Sequence, residues 1–319
     1  MSMERYMYHR ATSMQDALEV LAAAGADVRI LAGGTNVVPN MRNARVAPAL
    51  LLDIGRLDEL RGIEAVGDAT DRMIRIGALT TVAELLASDL IREEAPALHD
   101  AAAVFADPVT RLRATVGGNI TNASPGADAA PPLYALDAQV TLERLKGASG
   151  TSGNAASTPG GAAAGTSLPP VAGDQARTAR LLPIGAYITG SMQTARAPQE
   201  MLTYITFSPC RRSAFTKLGL RRAMAISVET VAVALALAPD GGIETCRIAV
   251  GALGSTPLRL AKTEKLFAGK KPGEGLFAAA ADALKTEIHP RDGLRGTKAY
   301  RNATAGVLLE RTMAAAYGR

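Results

Sequence analysis

The 319-residue sequence is poor in the side chains on which many functions depend. It has no Trp, five Phe and seven Tyr, and so lacks the stacking aromatic residues of proteins that bind single-stranded nucleic acid. Its net charge of +5 is spread over isolated residues and short pairs, without the basic blocks of a nucleic-acid-binding surface. We therefore expect no nucleic-acid partner.

Cysteine, histidine and long apolar runs are also scarce. Cys210 and Cys246 lie in different segments, so this chain alone provides neither a disulfide framework nor a zinc or iron–sulfur site. The three histidines are far apart and form no recognisable catalytic triad. The longest apolar run, Val231 to Ala238, falls far short of the ~20 residues that cross a bilayer, and the first residues lack the apolar core of a signal peptide. We expect no catalytic side chain, no bound metal, no membrane span and a cytoplasmic location.

Two Gly-Gly segments are the most informative local pattern. There is no Gly-x-Gly-x-x-Gly and no P-loop, but Gly33-Gly34-Thr35-Asn36 and Gly117-Gly118-Asn119 each follow an apolar, strand-like run. Adjacent glycines let the main chain approach a ligand and turn successive N–H groups toward one phosphate. Either segment alone is weak evidence, because a Gly-Gly pair between elements is more often simply a turn. Two such segments suit a dinucleotide. Neutral donors and one acceptor for ribose hydroxyls or a ring nitrogen lie nearby: Thr35, Asn36, Asn119, Ser124 and Asp128.

The sequence around these glycines resembles that of a known family. Residues 31–42 and 114–128 are similar to the two FAD loops of the medium, flavin-binding subunit of the molybdenum hydroxylases, the family of xanthine dehydrogenase, carbon monoxide dehydrogenase and 4-hydroxybenzoyl-CoA reductase. Similarity continues through 136–138, 248–259 and 298–309. The resemblance covers nearly the whole chain outside residues 147–173.

The resemblance implies an α+β fold with a vanillyl-alcohol-oxidase-like (PCMH-type) FAD-binding domain. Its two subdomains would span 1–56 and 57–208, and a C-terminal domain, 211–319, would hold a three-stranded antiparallel sheet with packed helices. Strands rich in β-branched residues followed by helical patterns are compatible with this arrangement. Residues 147–173 consist almost entirely of Gly, Ala, Ser, Thr and Pro without charge, and we interpret them as a flexible spacer inserted in the second subdomain.

The resemblance also implies where FAD binds, without a covalent link. The main chain of Ala32 to Val37 and of Val116 to Asn119 would hold the diphosphate, and Ser124 and Asp128 the ribityl or adenosine end. Leu112 stands where family members often have Asn, so one polar contact is missing. The expected cofactor-binding residues are Ala32, Gly33, Gly34, Thr35, Asn36, Val37, Thr115, Val116, Gly117, Gly118, Asn119, Thr121, Ser124, Asp128 and Ile184.

The function implied is that of one subunit in an oxidoreductase complex, a heterotrimer or a dimer of heterotrimers. A large molybdopterin subunit would oxidise an aromatic, N-heteroaromatic or aldehyde substrate, and a small subunit with two [2Fe–2S] clusters would relay electrons to FAD and an external acceptor. The Cys-rich insertion of the 4-hydroxybenzoyl-CoA reductase type is missing, so no [4Fe–4S] cluster is expected here. A stand-alone FAD-dependent reductase or oxidase of the same fold, and a flavin-free scaffold, are the alternatives.

Overall fold

The computed structural model describes residues 6–148, 176–221 and 224–319. The predicted spacer 147–173 lies outside these residues except for its first two positions. Three units follow one another along the chain, each with its own sheet and apolar cluster. The predicted α+β fold class is confirmed, while the domain boundaries stay a prediction.

The first unit is a three-stranded parallel sheet covered by a helix, with strand order β1-β3-β2. The helix α1 begins after Ser13, whose Oγ accepts a hydrogen bond from the Asp16 N–H at 3.1 Å. Leu18 and Leu21 of α1 pack against Leu52 of the sheet, which places the core between these two layers. The elements are β1 (Met7–Arg10), α1 (Met14–Ala24), β2 (Val28–Leu31), α2 (Val37–Arg42) and β3 (Leu50–Asp53).

The second unit is built on a five-stranded antiparallel sheet with strand order β4-β5-β10-β6-β7. Short helices pack on this sheet, and several of them begin with a capping side chain; Thr81, for example, forms a capping box with Glu84. The elements are β4 (Ile63–Val66), β5 (Met73–Gly77), α3 (Val82–Ala87), α4 (Asp89–Glu94), α5 (Pro96–Ala103), α6 (Pro108–Arg111), α7 (Val116–Asn122), α8 (Ala130–Ala135), β6 (Gln139–Leu145), β7 (Arg177–Pro183), α9 (Ile184–Tyr187), β8 (Ile188–Gly190), β9 (Gln193–Thr194) and β10 (Met201–Phe207).

The third unit is an antiparallel sheet with strand order β11-β12-β13-β14, packed against helices. Three strands were expected, and a short fourth strand, Leu258–Arg259, corrects that number. It lies where the apolar pattern predicts the start of a helix; these two residues instead pair with β13, and the helix begins only at Ala261. The elements are β11 (Ser213–Gly219), β12 (Ser227–Leu237), β13 (Ile243–Gly251), β14 (Leu258–Arg259), α10 (Ala261–Glu264), α11 (Glu274–Leu284) and α12 (Lys298–Tyr317).

Strand β12 is the layer between the second and third units. Val231 and Val233 belong to the apolar cluster that includes α12, whereas Ala232 and Ala234 belong to the cluster of the second unit. A strand buried on both faces gives a continuous apolar run in place of an alternating one. In the described part of the chain no helix is long and apolar enough to cross a membrane.

Candidate functional site

An open cavity lies where the first and second units meet, and its empty space, including the part open to solvent, is about 970 Å³. Cofactors in proteins typically bind in concave clefts of this kind. Strand β2, the start of β10 and both Gly-Gly segments contribute to its wall. Most of the predicted cofactor-binding residues line it, namely Ala32, Gly33, Gly34, Thr35, Asn36, Val37, Thr115, Gly117, Gly118, Asn119 and Thr121.

The first Gly-Gly segment presents a run of unused main-chain donors. In the residues that the structure describes, none of the N–H groups of Gly33 to Val37 has a protein acceptor. Gly34 has φ +76°, a left-handed conformation that favours glycine, and Asn36 makes no side-chain cap to α2. Consecutive free N–H groups beside a cavity form a concave site for an anion such as a phosphate.

The second Gly-Gly segment differs from the expectation, because it forms the first turn of α7 and its N–H groups are already bonded within the protein. Thr115 is the N-cap residue of that helix, which explains part of the difference. The four bonds run from Val116 N to Thr80 O at 2.9 Å, Gly117 N to Ala78 O at 3.0 Å, Gly118 N to Thr115 Oγ1 at 3.1 Å and Asn119 N to Thr115 O at 2.9 Å. This segment therefore contributes a wall of the cavity, and the free donors lie on the first segment.

Both segments require glycine because their main chain lies very close to other main-chain atoms. A Cβ atom on Gly33 would lie 1.7 Å from the carbonyl oxygen of Arg113, just before the second segment. On Gly117 it would lie 2.6 Å from the Ala78 carbonyl oxygen. The missing side chains thus let two segments about eighty residues apart in sequence come together beside one cavity.

Asp128 lies away from the cavity lining, in a buried ion pair between the second and third units. Its Oδ2 accepts from Lys217 Nζ at 2.6 Å and its Oδ1 accepts from Ser227 Oγ at 2.6 Å. Burial raises the pKa of Asp128, and the charge of Lys217 opposes that rise. The carboxylate therefore has a complete set of protein partners, and its predicted bond to the cofactor finds no support in this geometry.

The other predicted residues outside the cavity lining are Val116, Ser124 and Ile184. Val116 and Ile184 are buried in the second apolar cluster, and the Ser124 hydroxyl accepts from the Gly126 N–H at 3.4 Å. The structure thus gives these three residues internal contacts. Their link to a cofactor stays a prediction.

The sequence analysis missed several residues that line the cavity, above all two arginines. Arg29 lies on β2, just before the first Gly-Gly segment, and that position could have drawn attention to it. Arg196 lies between β9 and β10, and no sequence pattern marks it. Apolar and amide side chains complete the wall, among them Ile30, Ile54, Leu79, Phe105, Asn122, Met201 and Leu202.

Family comparisons agree with this site. Residues 2–152 match the family described as "FAD binding domain in molybdopterin dehydrogenase", and residues 213–316 match "CO dehydrogenase flavoprotein C-terminal domain". The chain belongs to the family of FAD-binding medium subunits of the molybdenum hydroxylases. It is accordingly an oxidoreductase subunit that contains the FAD-binding domain of that family.

Individual relatives match over almost their entire length. The chain is 30% identical to the carbon monoxide dehydrogenase medium chain of Afipia carboxidovorans, over 98% of this chain and 96% of that one. It is 28% identical to a xanthine dehydrogenase FAD-binding subunit of Escherichia coli, over 92% and 90%. The solved structure of carbon monoxide dehydrogenase from Hydrogenophaga pseudoflava lacking the Mo-pyranopterin moiety superposes with a TM-score of 0.83 at 28% identity, covering 100% of this chain and 99% of that chain.

Proposed function

We propose that this chain is the FAD-binding electron-transfer subunit of a cytoplasmic molybdenum-containing dehydrogenase complex. In this proposal FAD receives electrons from the [2Fe–2S] clusters of a small subunit and passes them to an external acceptor. The organic substrate, an aromatic, N-heteroaromatic or aldehyde compound, is oxidised on a large molybdopterin subunit. The named relatives are medium chains or FAD-binding subunits of dehydrogenases, which supports this division of labour.

The observation that carries the proposal is the set of free N–H groups on Gly33 to Val37 beside the cavity. These five donors would hold the FAD diphosphate, and the first turn of α7 would form another part of the cavity wall. Ile30, Met201 and Leu202 supply apolar surface suited to a planar ring. Bound FAD supplies the redox chemistry, and the protein supplies position and electrostatics.

The test is the flavin, iron and molybdenum content of the full chain purified with its native companions. We expect one FAD per chain, released by denaturation because it is not covalently attached, together with iron and molybdenum in the companions. Iron and molybdenum without FAD would show the flavin-free scaffold. FAD without iron or molybdenum would show the stand-alone flavoprotein instead.

A further inference from the structure

Two arginines that line the cavity, the exposed Arg29 and the partly buried Arg196, have no carboxylate partner in the described part of the chain. Among the described residues, neither lies within ion-pair distance of an Asp or Glu side chain. The cavity therefore carries positive charge that the protein does not neutralise.

Arg196 is held in place by neutral groups. Its Nη1 donates to three main-chain carbonyl oxygens of the following turn, those of Ala197 at 3.1 Å, Pro198 at 3.3 Å and Glu200 at 2.6 Å. The Glu200 carboxylate is turned to Arg180, with an Nε–Oε1 distance of 2.6 Å and an Nη2–Oε2 distance of 2.7 Å. The guanidinium is thus oriented by the main chain while its charge remains unpaired.

Holding this charge at the cavity has a cost. Burial lowers the pKa of Arg196 and the positive charge of Arg29 lowers it further, against the opposing effects of Tyr187 and of the Glu200 charge. Two like charges beside one cavity disfavour each other, and an anion between or near them removes that penalty. Two like charges held beside one cavity are more typical of a ligand-binding site than of a contact that stabilises the fold.

The cofactor has two parts that can carry negative charge, the diphosphate and the isoalloxazine ring once it is reduced. The diphosphate already has the five free N–H groups of Gly33 to Val37. The arginines share their part of the wall with Ile30, Met201 and Leu202, apolar side chains that suit a ring more than a phosphate. This placement favours the ring as the group on which the two charges act.

Resting on the proposed function, we propose that Arg29 and Arg196 are positioning residues that raise the redox potential of the bound flavin. The oxidised ring is neutral, and it takes up two electrons and one proton to become a singly charged anion. The electrons come from the iron–sulfur partner and the proton from water. Fixed positive charge in the cavity lowers the free energy of the anionic form relative to the neutral one, so electrons are held more firmly on the flavin.

The experiment compares the FAD-loaded full chain with its Arg196→Gln variant and with a matched control, Arg92→Gln. Arg92 lies on α4, outside the cavity lining, and among the described residues its only ion pair is the surface pair with Asp89 at 2.7 Å. Each protein is titrated with dithionite in the presence of redox mediators while the flavin absorbance is followed. For Arg196→Gln we expect the affinity of the protein for reduced flavin, relative to its affinity for oxidised flavin, to fall at least tenfold. This change lowers the redox potential of the bound flavin by about 30 mV, since the couple transfers two electrons.

Arg92→Gln should leave the potential unchanged, and Arg196→Lys should recover most of it. If Arg196→Gln releases its FAD, Arg29→Gln gives the same measurement, because in the described part of the chain the Arg29 side chain makes no internal hydrogen bond. FAD retained at an unchanged potential would overturn the inference. The inference would also be overturned if the substitution weakened the binding of ADP, of oxidised FAD and of reduced FAD equally. That result would place the guanidinium at the diphosphate. A wild-type chain without any FAD would instead refute the proposed function itself.

Discussion

Glu229 is a buried carboxylate whose protonation we expect to control the stability of the third unit. It lies on β12 with no exposed surface, and neither of its oxygens has a hydrogen-bond partner in the described structure. Two groups of α12 act on it, the Arg301 charge and the Thr304 hydroxyl. Arg301 donates through Nη1 to the Ala252 carbonyl oxygen at 2.7 Å, while its Nε also lacks a partner.

The magnitude follows from the pKa. Burial raises the pKa of Glu229 from 4.5 to about 7, against the opposing effects of Thr304 and Arg301. Because the folded pKa lies above the unfolded one, this group's contribution is most favourable below about pH 4.5 and is lost as the pH rises through about 7. At ~1.36 kcal/mol per pKa unit, the ionised carboxylate costs up to about 3 kcal/mol above neutral pH.

Glu229→Gln removes the ionisable group at nearly constant volume. We expect its free energy of unfolding, measured with urea, to exceed that of the wild type by up to about 3 kcal/mol at pH 8.5 and by much less at pH 5. Glu244→Gln is the control, because Glu244 is exposed on the neighbouring strand β13. An advantage of Glu229→Gln that does not change between pH 5 and 8.5 would refute the reasoning.

Two further substitutions test the close main-chain approach at the cavity and the buried ion pair between the second and third units. Gly33→Ala places a Cβ 1.7 Å from the Arg113 carbonyl oxygen, and we expect it to weaken FAD binding at least tenfold, measured by flavin release. The control is Gly275→Ala, whose Cβ meets nothing within 4 Å and which should leave FAD binding unchanged. Equal retention of FAD in both variants would contradict the role of Gly33. Lys217→Met leaves Asp128 buried without its cation, and we expect a loss of about 3–5 kcal/mol in urea unfolding. Adding Asp128→Asn should restore most of that loss, and a double variant as unstable as the single one would rule out the ion pair as its cause.

Much of the third unit could be predicted from local pattern. The strands around Pro239 to Gly242 are rich in apolar and β-branched residues, and an Asp-Gly turn separates them, so β12 and β13 meet where expected. Because Ser227 and Glu229 are polar, the apolar pattern predicts a strand only from Thr230 to Ala238, whereas β12 begins at Ser227. Ser227 donates to Asp128 of the second unit, and Glu229 is buried beside α12, and no local pattern reveals either contact.

The candidate site could be predicted only in part. Paired glycines marked both segments correctly as neighbours of one cavity, since backbone approach is a local property of glycine. Which segment keeps free N–H groups depends on Ala78 and Thr80, which are distant in sequence and take up the donors at the start of α7. The position of Arg196 likewise depends on how the turn before β10 folds.

The central claim is that the N–H groups of Gly33 to Val37 bind the cofactor, and amide hydrogen exchange measures this most directly. Without FAD these five amides should exchange fast, since the described structure offers them no acceptor, while those of Val116 to Asn119 should already be protected. Adding FAD should slow exchange at 33–37 strongly and at 116–119 little. A larger gain of protection at 116–119, or none at 33–37, would contradict the account.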